Sequence, residues 1–158
     1  METILLADIK IALNAMSSKE VRELCLRLAR YKKENKELVS YLLFFAGNEG
    51  EYIRNVQEDI DRMLEGLNRS NNYYSLKGIR KLLRMINKYI KFSGNRQTEA
   101  ELLIYFCQSL KKSGLMDRPV TSLGNLYEKQ IQKIEKAITF LHDDLQFDYH
   151  VELQKLTI

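Results

Sequence analysis

The chain has 158 residues, enough for a core of ordinary size without disulfide or metal staples. Apolar residues make up 45% and charged residues 29%, which excludes a disordered chain, and the formal net charge of +4 makes it mildly basic. One proline and seven glycines leave too little turn material for a sandwich or barrel, so an all-α domain spanning 1–158 is expected.

The first helix is predicted from Glu2 to about Met16, with Ile4, Leu5, Ile9, Ala12 and Leu13 inward. Asp8 interrupts its apolar run and no basic leader precedes it, so a secretory signal is not expected. Ser17 and Glu20 have capping-box spacing: hydroxyl and carboxylate can each satisfy an amide at the other's position. They start a second helix whose inward positions read Val21, Leu24, Cys25, Leu28 and Tyr31. The polar break Lys32–Lys36 closes it.

A third helix, roughly Lys36–Ala46, carries the run Tyr41-Leu42-Leu43-Phe44-Phe45-Ala46, and Gly47 is expected to supply a left-handed stop. Leu38–Asn48 is the longest stretch without a charge, 11 residues, well short of the about 20 that span a bilayer. No membrane insertion is expected, and the cytoplasm is the expected location. Asn48 and Glu51 form the next cap. The fourth helix brings Ile53, Val56, Ile60, Met63 and Leu67 onto one face by three- and four-residue spacing.

After the polar connection Arg69-Ser70-Asn71-Asn72, a fifth helix is predicted from about Tyr73 to Phe92, with Leu76, Ile79, Leu83, Ile86 and Ile90 inward. Gly94 closes it. Thr98 with Glu101 is the expected cap of a sixth helix, which holds Leu102-Leu103-Ile104-Tyr105-Phe106-Cys107 and stops at Gly114. Pro119 falls in the following connection, where a residue without an amide hydrogen is tolerated. The last helix is predicted from Thr121 or Ser122 to Phe147 or beyond, and Tyr149–Leu153 reads equally as frayed helix or extended tail.

The third and sixth helices are apolar nearly all round and therefore need cover on several sides. They are expected at the centre of a multi-helix bundle, an array of about seven antiparallel helices. In architecture alone this resembles a small α-α superhelix of the HEAT kind, without a repeat at any fixed period.

Three features could carry function. From Arg69 to Arg96 there are eight basic residues and no acidic one. Lys77, Arg80, Lys81, Arg84, Lys88 and Lys91 form a stripe opposite the apolar face of the fifth helix, suited to a phosphate backbone, with Tyr73, Tyr74 and Phe92 near its ends to stack on bases. The fourth helix, with Glu49, Glu51, Glu58, Asp59, Asp61 and Glu65, is the expected neighbour, and ion pairs with it would occupy part of the stripe. Second, Tyr127, Ile131, Ile134, Ile138, Leu141 and Leu145 alternate four and three apart, a seam that suits either the sixth helix or a second copy of the chain. Third, His142, Asp143, Asp144, Asp148, His150 and Glu152 cluster near the end, but in no metal-ligand spacing, so a solvated helix end is expected and no metal.

Cys25 and Cys107 lie in apolar stretches and are expected to be two buried thiols in a reducing compartment. No nucleophile elbow, phosphate loop or dinucleotide fingerprint is present, so neither a catalytic residue nor a cofactor is expected. The sequence points to a non-enzymatic helical interaction module. A protein is the expected partner, nucleic acid the alternative through the basic stripe, and homo-oligomerisation the alternative to packing on the sixth helix as the use of the seam.

Overall fold

Helix starts are set by side chains that accept from amides with no partner inside the helix. Ser17 accepts from the Glu20 amide at 3.3 Å while Glu20 Oε2 accepts from the Ser17 amide at 2.8 Å, the full capping box. Asn48 accepts from the Glu51 amide, and Asn71 from that of Tyr74. The sixth helix is capped three residues earlier than expected. Asn95 accepts from the Gln97 amide, and Thr98 lies inside the helix, where its hydroxyl donates to Glu49 Oε2 at 2.6 Å. A long-range hydrogen bond takes the place of the local cap.

The computed structural model describes residues 4–117 and 120–157. Glu2 and Pro119 lie outside them. All regular structure among the described residues is helical: α1 (Leu6–Ala15), α2 (Ser18–Tyr31), α3 (Lys33–Phe44), α4 (Glu49–Glu65), α5 (Asn72–Ser93), α6 (Arg96–Lys112), α7 (Thr121–Ile138) and α8 (Asp143–Thr157), with a 3-10 turn at Leu115–Asp117. The chain falls into two compact units, Met1–Leu43 and Phe44–Ile158.

In the C-terminal unit α6 packs against α4, α5, α7 and α8, which makes it the centre. Leu102, Leu103, Phe106, Cys107 and Leu110 are fully enclosed. Its neighbours contribute Ile60 from α4, Ile79, Leu82 and Ile86 from α5, and Ile131, Ile134 and Ile138 from α7. Each such side chain contributes about 1.5–3 kcal/mol by leaving water. Gly94 and Gly114 have φ of 65° and 70°, the left-handed geometry that ends a helix without a Cβ clash.

The expected last helix is two helices. It breaks after Ile138, and α8 returns against α6 and α7, burying Leu153 and Leu156. Tyr127 Oη and Lys111 Nζ both donate to the Leu156 carbonyl, at 3.0 and 2.9 Å, satisfying an acceptor in the last turn of α8. The final residues are therefore helical through Thr157.

The N-terminal unit differs from expectation. α1 and α2 contain no buried residue, and Tyr41 is the one buried residue of α3. Leu42, Leu43 and Phe44 are 57%, 70% and 71% exposed, so the third helix is not central. An apolar circumference shows that a helix needs cover, not that the cover lies in the same chain. Gly47 is not left-handed: among the described residues only Gly94 and Gly114 have positive φ, and the chain leaves α3 through a turn at 45–47.

Candidate interaction surfaces

The basic stripe forms as expected on α5. Burial of Ile79, Leu82, Leu83, Ile86 and Ile90 turns Lys77, Arg80, Lys81, Arg84 and Lys91 outward, and all five are exposed. Among the described residues none of these five makes an ion pair. Three carboxylates of α4 have other partners. Glu49 accepts from the hydroxyls of Ser93 and Thr98, Asp61 accepts from Tyr105 Oη at 2.6 Å, and Asp59 pairs with Arg62 at 2.8 Å. The Asp61 contact raises the Tyr105 pKa, since an ionised phenol would lose that bond and face the carboxylate.

Lys88, half-buried, lies over the rings of Tyr89 and Phe92, 4.7 and 5.9 Å from their centroids. Tyr73 and Tyr74 are exposed at the other end of α5, edge to face at 5.4 Å. Beside the stripe, a groove of about 370 Å³ runs between α5 and α7, lined by Arg80, Leu83, Asn125, Lys129 and Gln130 among others. Its charged residues are all basic.

The α7 seam is enclosed within the C-terminal unit. Tyr127, Ile131, Ile134 and Ile138 are buried, with α6 the neighbour that α7 contacts most, while Leu141 and Leu145 beyond the break are half-exposed. The intramolecular use of the seam is the one the structure contains.

The chemistry-bearing residues stay apart. His142 Nδ1 lies 3.5 Å from Asp144 Oδ2 on an open surface, and among the described residues no three His, Cys, Asp or Glu side chains are grouped to hold a metal ion. Burial pushes the Cys107 thiol up to about 12, so its nucleophilic thiolate is scarce at neutral pH. Cys25, expected inside, is exposed on α2.

The surface that sequence patterning did not single out is in the N-terminal unit. Ile4, Leu5, Leu6, Ile9 and Ile11 are exposed around α1, and Leu26, Leu28 and Tyr31 on α2. Beside them a groove of about 830 Å³ follows α2, lined by Met16, Glu20, Glu23, Leu24, Arg27 and Arg30 together with Ser17 and Lys19. The 3-4-3 spacing of Glu20, Glu23, Arg27 and Arg30 is a signal present in the sequence, masked by the apolar stripe of the same spacing next to it. Among the described residues no helix is long and apolar enough to cross a membrane. The chain matches no protein family, no curated protein and no solved structure.

Proposed function

We propose that this protein is a non-enzymatic helical module that binds another macromolecule, in the first place a protein, through exposed helix faces. The exposed apolar surface of the N-terminal unit carries this reading. Ten large apolar side chains between Ile4 and Leu43 are each 42–80% exposed, more than the scattered apolar residues of an ordinary surface. The C-terminal unit has an enclosed core of its own. The test is recovery of binding partners from native cell extract with the wild-type chain and with a Leu6→Ser/Ile9→Ser/Ile11→Ser variant. Partners enriched by the wild type alone support the reading; identical recovery by both removes it.

A second reading, polyanion binding, is favoured by five exposed cations of α5 that make no ion pair among the described residues. Exposed Lys77, Arg80, Lys81, Arg84 and Lys91, with Lys129 in the adjacent groove, form a surface on which phosphates would release counterions. Affinity for duplex DNA would then fall with salt at a log–log slope of about −0.9 per phosphate neutralised. Little base preference is expected, because phosphate contacts read no base edges. Arg80→Glu, Arg84→Glu and Lys91→Glu together should abolish binding without changing the melting temperature. Absence of binding at low salt, or unchanged binding by that variant, would end this reading.

A further inference from the structure

A unit of 43 residues with a single buried side chain among those described does not hold itself together, because chains near 40 residues need staples or a partner to bury enough surface. At roughly 100 Å² for a side chain worth about 2.5 kcal/mol at about 25 cal/mol per Å², its ten exposed apolar side chains present on the order of 600 Å².

The groove on α2 indicates what fills it. Val21, Leu24, Leu28 and Tyr31 follow one another at three and four residues, which puts them on one face of the helix. Glu20, Glu23, Arg27 and Arg30 repeat that spacing one residue earlier and run along one edge of the face, beside the groove. The acidic pair occupies the first half of the helix and the basic pair the second. Glu23, Arg27 and Arg30 make no ion pair among the described residues, and Glu20 is held by Ser17. Lys19 adds one cation at the start of the groove. A uniformly charged partner would meet repulsion at one end of this edge.

We propose that a second copy of the chain covers this surface, with the two α2 helices antiparallel about a two-fold axis. The proposal rests on the reading of the N-terminal unit as a binding surface. A two-fold axis between antiparallel helices reverses their direction but keeps each edge on the same side, so the charged edge meets itself reversed. Glu23 of each copy then lies beside Arg27 and Arg30 of the other, and the Glu20 end beside the Arg30 end. On the face, Leu24 lies beside Leu28 of the second copy and Val21 beside Tyr31. Exposed Cys25, near the middle of α2 on the opposite edge, comes close to its own equivalent.

Sedimentation of the full chain should show a dimer in the micromolar range, and a short bis-maleimide should couple Cys25 to Cys25 while buried Cys107 stays unmodified. Glu23→Arg sets arginine against arginine and Arg27→Glu sets carboxylate against carboxylate, so each alone should weaken the dimer by at least about tenfold. Mixed one to one, the two variants set the introduced arginine of one copy against the introduced glutamate of the other. The native Arg27 of the first copy then faces the native Glu23 of the second, and association should return. Circular dichroism verifies that each variant keeps its helices. A dimer that both variants leave intact, or a mixture that stays monomeric, overturns the proposed pairing. A monomeric wild type whose Cys25 alkylates as fast as a free thiol removes the second copy but leaves the surface open to another protein. A monomer whose Cys25 is protected removes both.

Discussion

α3 and α6 are nearly the same kind of sequence in opposite surroundings. Tyr41-Leu42-Leu43-Phe44-Phe45 and Leu102-Leu103-Ile104-Tyr105-Phe106 are both apolar on every side. In α6, Leu102, Leu103 and Phe106 are fully enclosed by four neighbouring helices; in α3, Leu42, Leu43 and Phe44 are more than half exposed. Helix formation is local, and both segments are helical, the first of them as far as Phe44. Burial is not local: it depends on whether later parts of the same chain supply the facing surface.

The comparison can be broken most forcefully at α7. Replacing Ile134 and Ile138 with Glu puts two charges into fully enclosed positions, and the C-terminal unit should lose its cooperative unfolding transition altogether. A folded product by far-UV circular dichroism would show that the seam is not core. Next in size is a matched pair of truncations. Phe106→Ala should cost about 3–5 kcal/mol by leaving a cavity, whereas Phe44→Ala in dilute solution should stay within about 0.5 kcal/mol of the parent. Urea denaturation measures both; equal costs would mean that α3 is covered after all.

Smaller effects sharpen the picture. Thr98→Val removes the hydroxyl that donates to Glu49 at 2.6 Å and ties α6 to α4, and should cost about 1–3 kcal/mol in the same denaturation experiment. Loss of the α2 cap should cost less, about 1 kcal/mol for Ser17→Ala. It should show as faster hydrogen exchange at the Val21 and Arg22 amides, with exchange in α4–α8 unchanged. Faster exchange throughout would contradict the separation of the two units.

Local signals are legible where residues within one turn decide the outcome. The capping box at Ser17 and Glu20, the Asn48 cap and the Gly94 stop appear at their expected positions. The basic stripe is legible for the same reason, since spacing alone fixes which side of α5 faces away from its apolar residues. The Thr98 cap and the unbroken last helix are not found, because partners distant in sequence decide both: Glu49 takes the Thr98 hydroxyl, and the core draws α8 back. Lys77, Arg80, Lys81, Arg84 and Lys91 find no ion pair among the described residues for a similar reason: distant groups, Ser93, Thr98 and Tyr105, engage Glu49 and Asp61 of α4.

By itself, the sequence determined that this chain is helical, where most helices begin and end, and which side of each amphipathic helix carries charge. These follow from backbone hydrogen bonding and side-chain spacing within a few residues. Only the tertiary structure decided which apolar helix became the core and which stayed uncovered, whether the five exposed cations of α5 found carboxylates, and whether the α7 seam faced inward. Those outcomes depend on surfaces brought together from segments tens of residues apart, and a one-dimensional pattern records a helix's need for cover without recording what provides it.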